Sequence, residues 1–151
     1  MAAKWVGHYW KQEEFECHCG CGRNEVHPFL VELADDVRRH IGVPMSCNSG
    51  VRCEDHNRRV GGRVASPTSF GSLHLPSGAT HQGHAGDFTF FEQSLRNRVN
   101  ILRLYILFES FGRRYEGLGL GLYNSFVHVD VRGQLGLKAA RWAQSFTWPR
   151  L

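Results

Sequence analysis

The sequence predicts an α+β fold, a single domain with a small, mostly antiparallel sheet flanked by helices. Three observations carry that expectation. An apolar stripe of helical period occurs in each half of the chain. Short strand-like runs lie between and after these stripes, the last two parted only by Asn124-Ser125. A stretch rich in glycine and proline separates the first strand from the second. The 151 residues suit one domain over 1–151, with no internal repeat, low-complexity tract or linker.

Pro28 opens a segment in which Phe29, Leu30, Leu33, Val37 and Ile41 recur at helical spacing, and Gly42 and Pro44 close it, which predicts a helix over 28–41. Met45 to Asn48, bounded by Pro44 and Gly50, reads as a strand, and Cys53 to Val60 as a helical turn or two. Residues 61–83 contain Gly61, Gly62, Pro67, Gly71, Pro76, Gly78 and Gly83 and form a long loop, a kind of segment that in compact domains is functional or disordered. Ala85 to Phe90 is a second strand. Gln93 to Phe108, with Leu95, Val99, Leu102 and Ile106, is a second long helix. Leu118 to Tyr123 and Phe126 to Val131 alternate as strands around a tight turn at Asn124-Ser125.

A formal charge of +4 and a pI near 9.0 favour an acidic partner without separating nucleic acid, an anionic wall polymer and a membrane surface. No apolar run approaches the roughly 18 residues of a membrane span. Met1 to Trp10 lacks the apolar core of a signal peptide, so the chain is expected to be cytoplasmic as synthesised. Five cysteines, three of them in Cys17-His18-Cys19-Gly20-Cys21, cannot all pair within one chain, and a reducing compartment is the default.

The chemistry lies between residues 72 and 130. In Phe126-Val127-His128-Val129-Asp130-Val131 the period of two puts the three valines on one face and His128 with Asp130 on the other. Asp87 sits in a similar strand, after a loop that carries His74, His81 and His84. A catalytic zinc takes three ligands from His, Asp and Glu and keeps a position for water, whose pKa falls to about 7. His74, Asp87 and His128 supply such a set for Zn²⁺.

These residues resemble a family, the zinc D,D-peptidases: D-Ala-D-Ala carboxypeptidases, D-Ala-D-Ala dipeptidases and phage peptidoglycan endopeptidases (peptidase family M15), with a fold shared by the hedgehog signalling domain. The resemblance rests on Ser49-Gly50-Val51-Arg52, Ser72-Leu73-His74, Gly83-His84-Ala85-Gly86-Asp87 and His128-Val129-Asp130. Phe15 to Gly22 and Glu54 to Gly62 match one bacterial and phage branch, and the likeness spans roughly residues 13 to 133. It implies His74, Asp87 and His128 as zinc ligands and Arg52 facing the substrate, where a guanidinium can grip a carboxylate or a developing oxyanion. Ser72 completes the Ser-x-His element and joins Arg52 as a substrate-binding residue. It further implies a monomer acting on peptidoglycan stem peptides, reaching the wall after phage-type release, with no nucleic acid as partner.

The sequence departs from the pattern twice. Leu75 to Gln82 stand between the first ligand His and the Gly, where the family usually has two residues, so His81 is an alternative to His74. His74 is preferred because Ser72 precedes it by two and a loop insertion is readily accommodated. His84 then occupies a variable position and reads as surface or substrate-facing. Second, relatives commonly carry Glu, Asp or His shortly before the last ligand, whereas this chain has Leu122, Tyr123, Asn124, Ser125 and Phe126. Asp130 is the nearest carboxylate that could act as general base, with Glu116 and Glu109 behind it. Its other role is to accept a hydrogen bond from a ligand imidazole.

Two other classes stay open. One is a cell-wall-binding module that keeps the fold without catalysis. The other is a basic nucleic-acid-binding domain organised by a cysteine-zinc cluster, with Arg58, Arg59 and Arg63 on phosphates, against which no stacking aromatics interleave the arginines. Alternation by two at Cys17, Cys19 and Cys21 is poor zinc-finger spacing, although Cys47 and Cys53, or His18, could complete a structural site. Otherwise the cysteines are thiols of a small core, or a pair forms a disulfide outside the cell.

Overall fold

The computed structural model describes residues 4–150. Three helices, α1 (Pro28–Ile41), α2 (Glu54–Arg59) and α3 (Arg98–Gly112), accompany five strands: β1 (Met45–Ser49), β2 (Ala85–Phe90), β3 (Gly119–Leu122), β4 (Val127–Asp130) and β5 (Ala140–Ala143). The strands form one sheet in the order β1-β2-β4-β3-β5, antiparallel except where β5 runs parallel to β3. The α+β architecture with a mostly antiparallel sheet is as the sequence predicts.

Helix α1 starts where Pro28 fixes the first turn, with His27 Nδ1 accepting from the Phe29 N–H at 3.1 Å. The second long helix departs from expectation. Asn97 accepts from the Asn100 N–H through its side chain at 3.0 Å and caps α3, leaving Gln93–Leu95 as a separate 3₁₀ turn. The capping side chain outweighs the apolar periodicity that ran through it. Strand β5 is missing from the sequence reading because Ala-Arg-Trp-Ala has no apolar alternation. It is held by main-chain bonds from Ala140 N–H to Leu118 O and from Gln144 N–H to Leu122 O.

Leu30, Leu33 and Val37 of α1 and Ile101, Leu104 and Phe108 of α3 pack with Phe88, Val127 and Val129 in one buried core. At its centre Trp10, Phe88 and Phe108 meet at ring separations of 5.5 and 5.3 Å. Because side chains alternate along a strand, burial of Phe88, Val127 and Val129 against the helices sends Asp87 and His128 to the opposite face.

Candidate metal centre

The register of the sheet assembles one row across all five strands: Ser49 pairs with Asp87, Asp87 with His128, His128 with Gly121, and Gly121 with Trp142. Cross-strand partners share a face, so Asp87 and His128 meet directly, with His128 Nδ1 2.9 Å from Asp87 Oδ1. His74 comes from the loop before β2 and places Nε2 3.5 Å from the same oxygen. One donor atom from each of the three residues lies within 4.8 Å of the others. Tetrahedral zinc with bonds of 2.0–2.1 Å separates its ligands by about 3.3 Å, the range these contacts span.

The eight-residue excursion does not displace His74. His84 N–H donates to Leu73 O at 2.8 Å and Ser77 N–H to Gln82 O at 3.0 Å, so the extra residues leave and re-enter beside one another. His81 is exposed at the tip with a φ of 50° and is not brought to Asp87 and His128. Arg52 N–H donates to His74 O at 2.9 Å, which ties this loop to the segment after β1. Ser72 Oγ accepts weakly from His74 N–H at 3.4 Å and lines the adjoining groove.

Hydrogen bonding fixes the form of His74. Its Nδ1 lies 2.7 Å from Gly50 O and must donate, so Nε2 carries the lone pair and faces Asp87 acceptor to acceptor. That arrangement calls for a cation between them. Burial keeps His74 neutral, outweighing the pull of Asp87 towards protonation. Burial alone would raise the Asp87 carboxyl, but His74 and the hydrogen bond with His128 hold it well below the usual carboxylate range. Arg52 stands beside it, with Nη2 3.7 Å from Asp87 Oδ2 and Nε donating to Ser49 Oγ at 2.9 Å. The donor set therefore fits a divalent metal.

His128 is clamped from its other side. Nε2 lies 3.0 Å from Asp130 Oδ2, and without a metal both ring nitrogens face carboxylates. Burial would lower its pKa, yet the hydrogen bonds with Asp130 and Asp87 lift it to about 9. Asp130 is fully buried and accepts from Arg132 Nε at 2.8 Å and Nη2 at 2.7 Å, so both of its oxygens are occupied. Burial would raise this carboxyl too, but Arg132 and His128 keep it near 2.

An open groove of about 490 Å³ lies beside His128, lined by Ser72, Leu73, Tyr123, Arg132 and Trp142. Sequence reasoning missed this wall. Trp142 sits 5.2 Å from the His128 ring, Arg132 lies over its indole at 5.3 Å, and its Nε1 donates to the Tyr123 hydroxyl at 3.2 Å. Only glycine fits beneath it, since a Cβ on Gly121 would stand 2.5 Å from the indole. The one available signal was the alternation of glycines in Gly119-Leu120-Gly121.

Two expectations are corrected. His84 is buried, its ring 4.9 Å from that of His27, whose N–H donates to Gly83 O at 2.9 Å and so ties the start of α1 to the residue before His84. Glu109 does not turn towards the site, since Arg141 takes up both of its oxygens at 2.6 and 3.1 Å. Among the described residues, no helix is long and apolar enough to cross a membrane.

No curated protein and no solved structure matches the chain. The family model for Peptidase M15 matches residues 8–130, which takes in Arg52, His74, Asp87, His128 and Asp130 and stops short of Trp142. With most of its length matched, the chain belongs to the peptidase M15 family.

Proposed function

We propose that this chain is a zinc-dependent metallopeptidase that hydrolyses peptidoglycan stem peptides beside a D-amino acid, as a D,D-carboxypeptidase or an endolysin-type endopeptidase. The observation that carries the reading is the convergence of His74, Asp87 and His128 on one point at the edge of an open groove. Zinc bound there would polarise the scissile carbonyl and lower the pKa of a bound water to about 7. His74 would ligate through Nε2, the nitrogen its bond to Gly50 leaves free, and His128 through Nδ1, with Nε2–H given to Asp130.

In this reading Asp130, with both oxygens engaged, is a positioning residue that fixes the tautomer and orientation of His128. Arg52, anchored by Ser49 beside Asp87, would hold the substrate carboxylate or the tetrahedral oxyanion. Ser72 and Trp142 would flank the peptide in the groove. The formal charge of +4 suits an anionic wall as the site of action.

A second reading, wall binding without catalysis, draws on the fact that Asp130 is the one carboxylate on the groove wall among the described residues, and it is fully engaged. One experiment separates the two. Zinc per chain and release of products from purified peptidoglycan, and from a peptide ending in D-Ala-D-Ala, are measured for wild type and His128→Ala. The peptidase reading expects the variant to lose one zinc and all hydrolysis. Hydrolysis that survives His128→Ala overturns it, and wall binding by wild type without product release supports the second reading.

A further inference from the structure

We propose that Cys17, Cys19, Cys21 and Cys53 hold a second zinc ion as a tetrathiolate, a structural clasp that fastens the N-terminal loop to the segment carrying Arg52. The four sulfur atoms all lie within 4.8 Å of one another. Cys17 and Cys19 stand 3.4 Å apart, and Cys19 and Cys53 3.6 Å. A zinc tetrathiolate with 2.3 Å bonds has sulfur–sulfur edges of about 3.8 Å, whereas a disulfide joins two sulfurs at about 2.05 Å and leaves the remaining pair unexplained. All of these thiols are free.

The loop is shaped for convergence despite its spacing by two. Gly20 and Gly22 adopt left-handed backbone, with φ of 83° and 81°. This folds the chain back around Cys21, and Cys17 N–H closes the turn on Arg23 O at 2.7 Å. Backbone N–H groups of Cys53 and His56 donate to the sulfurs of Cys17 and Cys53 at 3.4 and 3.3 Å, contacts that favour sulfur carrying negative charge. Cys17 is buried, Cys19 and Cys53 are half-buried and Cys21 is exposed, which gives an ion a route from solvent. Cys47 is outside the cluster, its thiol turned to Ser49 O at 3.4 Å, and serves as an internal control.

The placement gives the clasp a purpose. Cys53 directly follows Arg52, Val51 N–H donates to Phe15 O at 2.9 Å, and Gly50 O accepts from His74. Residues 50–53 therefore lie between the cysteine loop and the His74 site, and a tetrathiolate would hold that strip from one side while His74 holds it from the other. Zinc binding would release up to four thiol protons to the buffer and leave a doubly negative centre.

The test is metal content and cobalt spectroscopy on the full chain, purified with reductant. Expected zinc per chain is two for wild type and for Cys47→Ser, one for Cys21→Ser, and one for His128→Ala. Cobalt-loaded wild type and His128→Ala should both show an intense thiolate-to-cobalt charge-transfer band in the near ultraviolet that Cys21→Ser loses. Absence of that band from cobalt-loaded wild type overturns the proposal without needing any variant to fold. So does an intact mass two hydrogens low without reductant together with unchanged zinc in Cys21→Ser, which would assign a disulfide instead. The His74, Asp87 and His128 set contains no sulfur, so failure here leaves the peptidase reading standing and the converse also holds.

Discussion

Replacing Asp130 by asparagine distinguishes a residue that holds His128 from one that takes a proton. Asp130 is 0% exposed and accepts from both Arg132 and His128. Breaking a buried ion pair costs about 3–5 kcal/mol. Arg132 keeps some solvent contact, with its side chain 20% exposed, and the asparagine oxygen can still accept, so the lower end of that range is expected for the metal-free protein. Losing a carboxylate that orients a ligand imidazole lowers metal affinity about 10- to 100-fold, or roughly 1.4–2.8 kcal/mol. The assay is competition for zinc with a chromophoric chelator, following the ion that His128→Ala removes, alongside denaturant unfolding and turnover at saturating zinc. Weakened zinc binding, with turnover largely recovered when zinc is saturating, is the expected result. Unchanged affinity with collapsed turnover would refute the positioning role and make Asp130 the proton acceptor.

Metal-free protein should lose stability as pH rises from 6.5 through about 9. Despite the opposing effect of burial, the carboxylates of Asp130 and Asp87 raise the folded pKa of His128, so its contribution is complete below 6.5 and gone above 9. Asp87 and Asp130 stay ionised throughout that window, and thermal melts that are flat across it would contradict the bridging imidazolium. His81→Ala should leave zinc and hydrolysis unchanged while His74→Ala loses one zinc; the reverse pattern would exchange their roles. Trp142→Ala should keep its zinc and raise KM by up to about tenfold, the worth of one aromatic contact, and an unchanged KM would put the peptide elsewhere. Phe88→Ala, at the centre of the aromatic core, should cost about 3–5 kcal/mol in denaturant unfolding.

Local signals made most of the fold legible. Pro28 with the stripe from Phe29 to Ile41 sets α1, and the alternation around His128 sets β4 and the face its side chain takes. Asn97 is a cap residue by type, but apolar residues recur on both sides of it and hide the boundary. Strand β5 was not legible. It forms by parallel pairing with β3, with Leu118 and Leu122 carbonyls accepting from Ala140 and Gln144, a property of the partner strand that Ala-Arg-Trp-Ala does not encode. Trp142 followed it out of sight, since an indole becomes a groove wall only once β5 lies over Gly121. Likewise Cys53, far along the chain from Cys17 to Cys21, completes the sulfur cluster only through the docking of residues 50–53 on Phe15.

The excursion after His74 shows how the proposed ligand set tolerates an insertion that obscures it in the sequence. A ligand's position depends on where its own backbone is held, and His74 is held twice within two residues, by Arg52 N–H on its carbonyl and by Leu73 O on His84 N–H. Leu75 to Gln82 lie between these anchors and close on themselves through Ser77 and Gln82, so lengthening them adds loop entropy that grows only logarithmically with length and exerts no leverage on the ring. The partners of His74 are fixed differently. Asp87 and His128 sit opposite one another on paired strands, where a slip of one residue between the strands would put the two on opposite faces of the sheet. The candidate site thus joins a rigid pair, set by sheet register, to His74, set by two hydrogen bonds and the Gly50 carbonyl. Chain length can therefore vary after His74 without moving its ring, whereas the spacing of Asp87 and His128 within their strands cannot.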